Sequence, residues 1–178
     1  MDGSSNGFTL MEILVATAIM AGIGGVFFST LRMNQQSWES AQSHLAVSGE
    51  LRRGMNEMSR EIVASESTQV DIPADGAWYP SINFPVPQDL DGDGTVLNGA
   101  GVLEWSDPIT YTLNGTQVIR RQNNTNDRVV ANGVTDLEFR REVASPDIVE
   151  MQMTVREATG TGDFPSTGTI TTRVRLRN

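Results

Sequence analysis

Gly7-Phe8-Thr9-Leu10-Met11-Glu12-Ile13-Leu14-Val15-Ala16 opens an apolar run that continues through Gly22, Gly24, Gly25, Phe27 and Phe28 to Leu31, and no residue from 13 to 31 carries a charge. At ~1.5 Å per residue, a helix over these positions reaches roughly 29 Å, about the hydrocarbon thickness of a bilayer. The stretch therefore predicts a helix able to span a membrane. Glu12 stands just inside it. An acidic group in such a helix costs roughly 2.5–3.5 kcal/mol on insertion scales, so intramembrane carboxylates ordinarily have partners. The first turns offer Glu12 none, and the first cation is Arg32. An ordinary anchor helix can carry such a Glu near its end, where the side chain reaches the interface. A secretory signal fits less well, because no Lys or Arg precedes Phe8 and the small triplet Ala16-Thr17-Ala18 lies inside the apolar run.

Gly-Phe-Thr-Leu-x-Glu followed by an apolar helix resembles the cleavage and methylation signature of type IV prepilins and pseudopilins. The resemblance implies a leader over residues 1–7 and cleavage by a prepilin peptidase between Gly7 and Phe8. It also implies N-methylation of Phe8, with Glu12 as the carboxylate that pairs with a neighbouring subunit's terminal amine during assembly. Leaders of that family carry basic residues, whereas residues 1–7 hold only Asp2 as a charged group.

Behind the leader and the span, about 145 residues remain, enough for one domain with a modest core. The net charge of −9 argues against a general nucleic-acid binder, since the summed field repels phosphate. Cysteine is absent, which rules out a disulfide framework and a thiolate metal site.

Apolar residues continue at helical steps beyond the span. Trp38, Ala41, Leu45, Ser48, Leu51, Met55, Met58 and Ile62 recur every three or four residues, with Arg52, Arg53, Glu57, Arg60 and Glu61 on other faces. One helix over about 8–65 is predicted, its transmembrane half at 8–31 and its amphipathic half at 32–66. A soluble β-rich domain is expected over 67–178. Its first part, 71–103, is rich in Pro, Gly and Asp and reads as a long connection anchored by Trp78, Tyr79 and Phe84. Residues 108–120 read as a hairpin about Asn114-Gly115, the dipeptide favoured by type I′ turns. Residues 134–141, 148–156 and 168–176 alternate with period two: Leu137 and Phe139 share a face, and Met151, Met153 and Val155 oppose Glu150, Gln152, Thr154 and Arg156. In the last of these stretches Ile170, Val174 and Leu176 oppose Thr171, Arg173 and Arg175. The expectation is an α+β fold, the helix lying on one face of an antiparallel sheet whose other face meets water.

The later blocks are similar to minor subunits of the J type in type II secretion and the W type in type IV pili. They comprise Met58-Ser59-Arg60-Glu61-Ile62, the hairpin strands, Gly133-Val134-Thr135-Asp136-Leu137-Glu138-Phe139-Arg140 and the closing Val174-Arg175-Leu176-Arg177-Asn178. The resemblance implies a type IV pilin-like fold and a structural subunit at or near a filament tip that helps prime assembly. It implies an inner-membrane protein crossing once, its soluble domain on the periplasmic side, that then joins a pilus or pseudopilus. Implied partners are the prepilin peptidase, other minor and major subunits, the inner-membrane assembly platform and, before assembly, membrane lipid.

Asp89-Leu90-Asp91-Gly92-Asp93-Gly94-Thr95 sets carboxylates at alternate positions with a glycine at the sixth, the pattern that wraps oxygen ligands around Ca²⁺. Asp89, Asp91 and Asp93 would give side-chain oxygens and Thr95 its carbonyl. The twelfth position holds Ala100 rather than the bidentate Glu of a full EF-hand, so Asn98, Glu104 or Asp107 could complete the set only by folding back. A solvated Asp/Gly-rich turn is the other reading. The catalytic inventory is thin: His44 is the single histidine and reads as an ordinary helix-face residue, and no carboxylate pair is marked for hydrolysis. The expectation is a structural subunit rather than an enzyme. A tip adhesin or DNA-uptake subunit, with Trp78-Tyr79 or Arg140-Arg141 meeting a ligand, is the alternative, ahead of a major filament subunit or a membrane-anchored enzyme.

Overall fold

The computed structural model describes residues 9–123, 127–157 and 166–177. Helix α1 (Leu10–Ala64) comes first, followed by seven strands: β1 (Ser81–Phe84), β2 (Ile109–Asn114), β3 (Gln117–Gln122), β4 (Arg128–Asn132), β5 (Val134–Arg141), β6 (Ile148–Glu157) and β7 (Ser166–Arg175). Every strand pairing is antiparallel. The chain is thus α+β, a long N-terminal helix followed by antiparallel sheet.

Two compact units divide at Ala41 and Gln42. In the first, the helix runs without interruption through Gly22, Gly24 and Gly25, and none of its described side chains is buried. The second unit contains the core. Its helical part contributes Val47, Leu51, Met55, Met58 and Ile62, which interlock with Phe84, Ile109, Tyr111, Leu137, Phe139, Met151 and Met153 from the strands. Burying each such side chain stabilises the fold by roughly 1.5–3 kcal/mol.

The predicted helical stripe holds from Leu51 onward and fails before it. Trp38 and Leu45 are 73% and 74% exposed, Ala41 and Ser48 are also exposed, and the buried positions are instead Ser43 and Val47. At ~100° per residue, Leu45 and Val47 lie about 200° apart around the helix, so only one of them can face the strands. Packing selects Val47, because β7 comes close there. A Cβ on Gly168 would lie 2.8 Å from Val47 Cγ1 and 2.9 Å from Leu51 Cδ1. The hydroxyls of Ser43 and Ser166 hydrogen-bond at 2.9 Å a turn further back.

The single sheet expected from the alternation is two sheets, of order β1-β2-β3-β4 and β5-β6-β7. The break falls at Gly133, whose φ of +68° redirects the chain between β4 and β5. Val134 N–H then donates to Thr116 O, and Arg156 N–H donates to Gly133 O, so the two sheets stay joined at this corner. The hairpin turn also differs from its prediction. Asn114 pairs with Gln117, which leaves Gly115 and Thr116 as the central residues, and the positive φ is at Gly115. Glycine in the first central place is the type II′ arrangement rather than type I′.

The stretch read as a connection over 71–103 contains β1, and Ile82 and Phe84 of that strand are fully buried. Strand β4, centred on Val129, Val130 and Ala131, was likewise not anticipated.

Candidate functional site

At the start of α1, Thr9 and Glu12 cap each other. Thr9 N–H and Oγ1 donate to Glu12 Oε2 at 3.0 and 3.2 Å, and Glu12 N–H donates to Thr9 Oγ1 at 3.3 Å. This is a capping box, which satisfies amide groups that a helix start leaves without partners. The expectation that the first turns offer Glu12 no partner is therefore corrected: its carboxylate bonds within the chain. Gly7 and Phe8, the expected cleavage and methylation residues, lie outside the described residues. Beyond Glu12, apolar side chains point in every direction from the helix. Ile13, Leu14, Ile19, Ile23, Phe27 and Phe28 are all exposed. By length and composition the helix is able to cross a membrane. A helix apolar on all sides is stable only where lipid or other helices cover it.

The acidic loop is held at the tip of a fold-back. Pro87 pairs with Trp105 and Leu97 with Leu103. Gln88 N–H donates to Glu104 O, and Glu104 N–H to Val96 O. Within this frame one carboxylate oxygen each of Asp89, Asp91 and Asp93 gathers within 4.8 Å of the others. Amide N–H groups of Gly94 and Gly92 donate to Asp89 at 2.9 and 2.7 Å and hold its carboxyl below the usual carboxylate range, so it is ionised at neutral pH. Thr95 donates its N–H and Oγ1 to Asp93. Of the residues that could complete the set, Glu104 does return to the loop, where its carboxylate accepts Leu90 N–H at 2.7 Å. Asn98 instead accepts the N–H groups of Ala100 and Val102.

The residues of the ligand-binding alternative are engaged inside the chain. Arg140 lies over the Trp78 ring at 4.5 Å and donates to Glu150 at 2.7 Å. Tyr79 O–H donates to Asp75 at 2.6 Å. Arg141 is buried, and its guanidinium donates to the carbonyls of Ser67, Ile72 and Pro146. Burial lowers the Arg141 pKa, and these carbonyls satisfy its donors in place of a carboxylate. His44 is exposed on α1.

One network escaped the sequence reading. Glu61 on α1 accepts from Tyr111 O–H at 2.7 Å and from Arg120 Nε at 2.9 Å. Burial, then the bond to Glu61, pushes the Tyr111 phenol well above its ordinary range. Glu61 also lines a groove of about 640 Å³ whose rim includes Arg53, Glu57, Arg60 and Arg128. Its residues come from separate elements, so no local motif announced it. In comparison with known proteins, the chain matches no family model, no curated protein and no solved structure.

Proposed function

We propose that this chain is a minor pilin or pseudopilin, a structural subunit at or near the tip of a type IV pilus or type II secretion pseudopilus that helps prime filament assembly. The observation that carries the reading is the exposed apolar start of α1, headed by Glu12, on a helix whose later residues form the core of an antiparallel β domain. That combination suits a chain stored in the membrane and then transferred into a bundle of like helices. The tip position is supported by the fold-back over 85–106, an exposed projection that would be bulky in every repeat of a filament. A repeating subunit needs complementary surfaces above and below, whereas a tip subunit needs one. Quantitative proteomics of sheared filaments tests the position. Copy numbers far below the dominant subunit are expected, and comparable abundance would make this the main structural subunit.

We also propose that the acidic loop binds Ca²⁺ in a structural role, favoured by the gathering of three carboxylates and the return of Glu104. An all-oxygen set suits a hard cation. Asp89, Asp91, Asp93 and the Thr95 carbonyl would hold it, bracing a fold-back that has no disulfide. Because a ligand that binds only the folded state stabilises it by mass action, Ca²⁺ should raise the melting temperature. Asp91→Ala and Asp93→Ala should abolish that shift. Asp75→Ala removes the Tyr79 bond elsewhere and should leave the shift intact. Equal melting in chelator and in excess Ca²⁺ would reduce the loop to a solvated turn.

A further inference from the structure

Two sheets present four edges, and three of them are closed by the chain itself. At β1, Asn83 O accepts Asp71 N–H and Asn83 N–H donates to Asp71 Oδ1. At β4, Arg53 Nε donates to Val130 O and Glu50 accepts Asn132 N–H, so two side chains of α1 plug that edge. At β5, Phe139 exchanges both backbone bonds with Tyr79, Arg141 O accepts Gly76 N–H, and Val134 N–H donates to Thr116 O. The edge of β7 is closed only past its end, where Arg177 N–H donates to Ser65 O and Arg177 O accepts Ser67 N–H. Over its ten residues it pairs with β6 on one side, and among the described residues no backbone bond is made on the other.

An open edge of this length is a template for another strand unless its chemistry opposes one. Here the chemistry selects. Strand β7 contains no acidic residue, and it places Arg173 and Arg175 on the exposed face, 62% and 73% accessible, where Glu150, Glu142 and Asp147 contact them from the β6 side. Thr167, Thr169 and Thr171 continue that face. In-register parallel pairing with a second copy would set Arg173 on Arg173 and Arg175 on Arg175, which is destabilising. A strand bearing carboxylates at alternate positions would instead meet both guanidiniums, while its intervening β-branched residues would cover the half-buried Ile170.

We propose that the outer edge of β7 is a strand-addition site for an extended acidic segment of a partner protein, with Asp or Glu facing Arg173 and Arg175. This goes beyond the filament reading and stands or falls separately from it. The test uses the full chain in dodecyl maltoside micelles and a synthetic peptide of alternating Glu and Val. Hydrogen–deuterium exchange should show new protection at about half of the β7 amides, those that point away from β6. Methylating every second peptide nitrogen, or replacing Glu by Lys, should each remove that protection, and neither control alters the protein. The double variant Arg173→Gln, Arg175→Gln should bind the Glu peptide roughly tenfold more weakly, as the loss of opposite-charge cross-strand pairs implies. Absence of protection at β7, or protection that survives methylation, would overturn the proposal. Protection of β7 that rises with the concentration of the chain alone would overturn it too, by making the occupant a second copy.

Discussion

Glu12 carries two separable roles, one seen in the structure and one proposed. Its carboxylate closes the capping box with Thr9, and its charge is the group that the filament reading assigns to a neighbour's amine. Glutamine preserves the cap and removes the charge, whereas alanine removes both. Glu12→Ala should therefore loosen the first helical turn by about 1 kcal/mol while Glu12→Gln leaves it nearly intact. Both variants should still be processed, and both should enter filaments poorly. Pull-down of each variant with sheared filaments checks this, and normal incorporation of the Gln variant would remove the charge from the mechanism. The sequence reading gave Glu12 no partner, although Thr9 and Glu12 stand at the three-residue spacing of a capping box ahead of an apolar run. The role of Arg141 was not legible. Its partners are backbone carbonyls of residues 67, 72 and 146, which no side-chain pattern encodes.

The meeting of α1 and β7 rests on Gly168, where any side chain would enter the space of Val47 and Leu51. Gly168→Val should destabilise the second unit by about 1–3 kcal/mol, the range for overpacking a filled core. Gly49 is the control. It lies in α1 with nothing within 4 Å of an added Cβ, so Gly49→Ala should be neutral or stabilise by up to about 1 kcal/mol. Thermal melting of both variants separates close approach from simple loss of glycine, and equal melting of Gly168→Val and the parent would show that the contact carries no weight. Elements with strong periodicity were readable, as β5, β6 and β7 show. The helix boundary was also readable, ending at Ala64 where 65 was expected. The burial phase of α1 over 38–48 was not, because two apolar stripes compete there and only the position of Gly168 chooses between them. Strands β1 and β4 were missed for other reasons: β1 alternates over only four residues inside a Pro/Gly/Asp-rich stretch, and β4 has adjacent buried residues rather than alternation.

At the scale of the whole molecule, two units of opposite character share one chain. The first presents apolar side chains that water does not tolerate in such density, and the second has a closed core and a polar, acidic surface. The apolar start, long enough to cross a membrane, and the β domain were both foreseeable from composition and period, since each depends on residues close in sequence. The division into two sheets and the open edge of β7 depend on Gly133 and on distant partners, so only the folded chain displays them. The proposed role as a membrane-stored filament subunit would account for the two units in one chain: its apolar helix would lie in lipid before assembly and against neighbouring helices after it. Mass spectrometry of the protein purified from cells with an active prepilin peptidase decides between this role and an ordinary anchor. A filament subunit of this kind should be a mature chain that lacks residues 1–7 and begins at N-methylated Phe8, whereas a chain that keeps residues ahead of Phe8 in those cells would rule the role out.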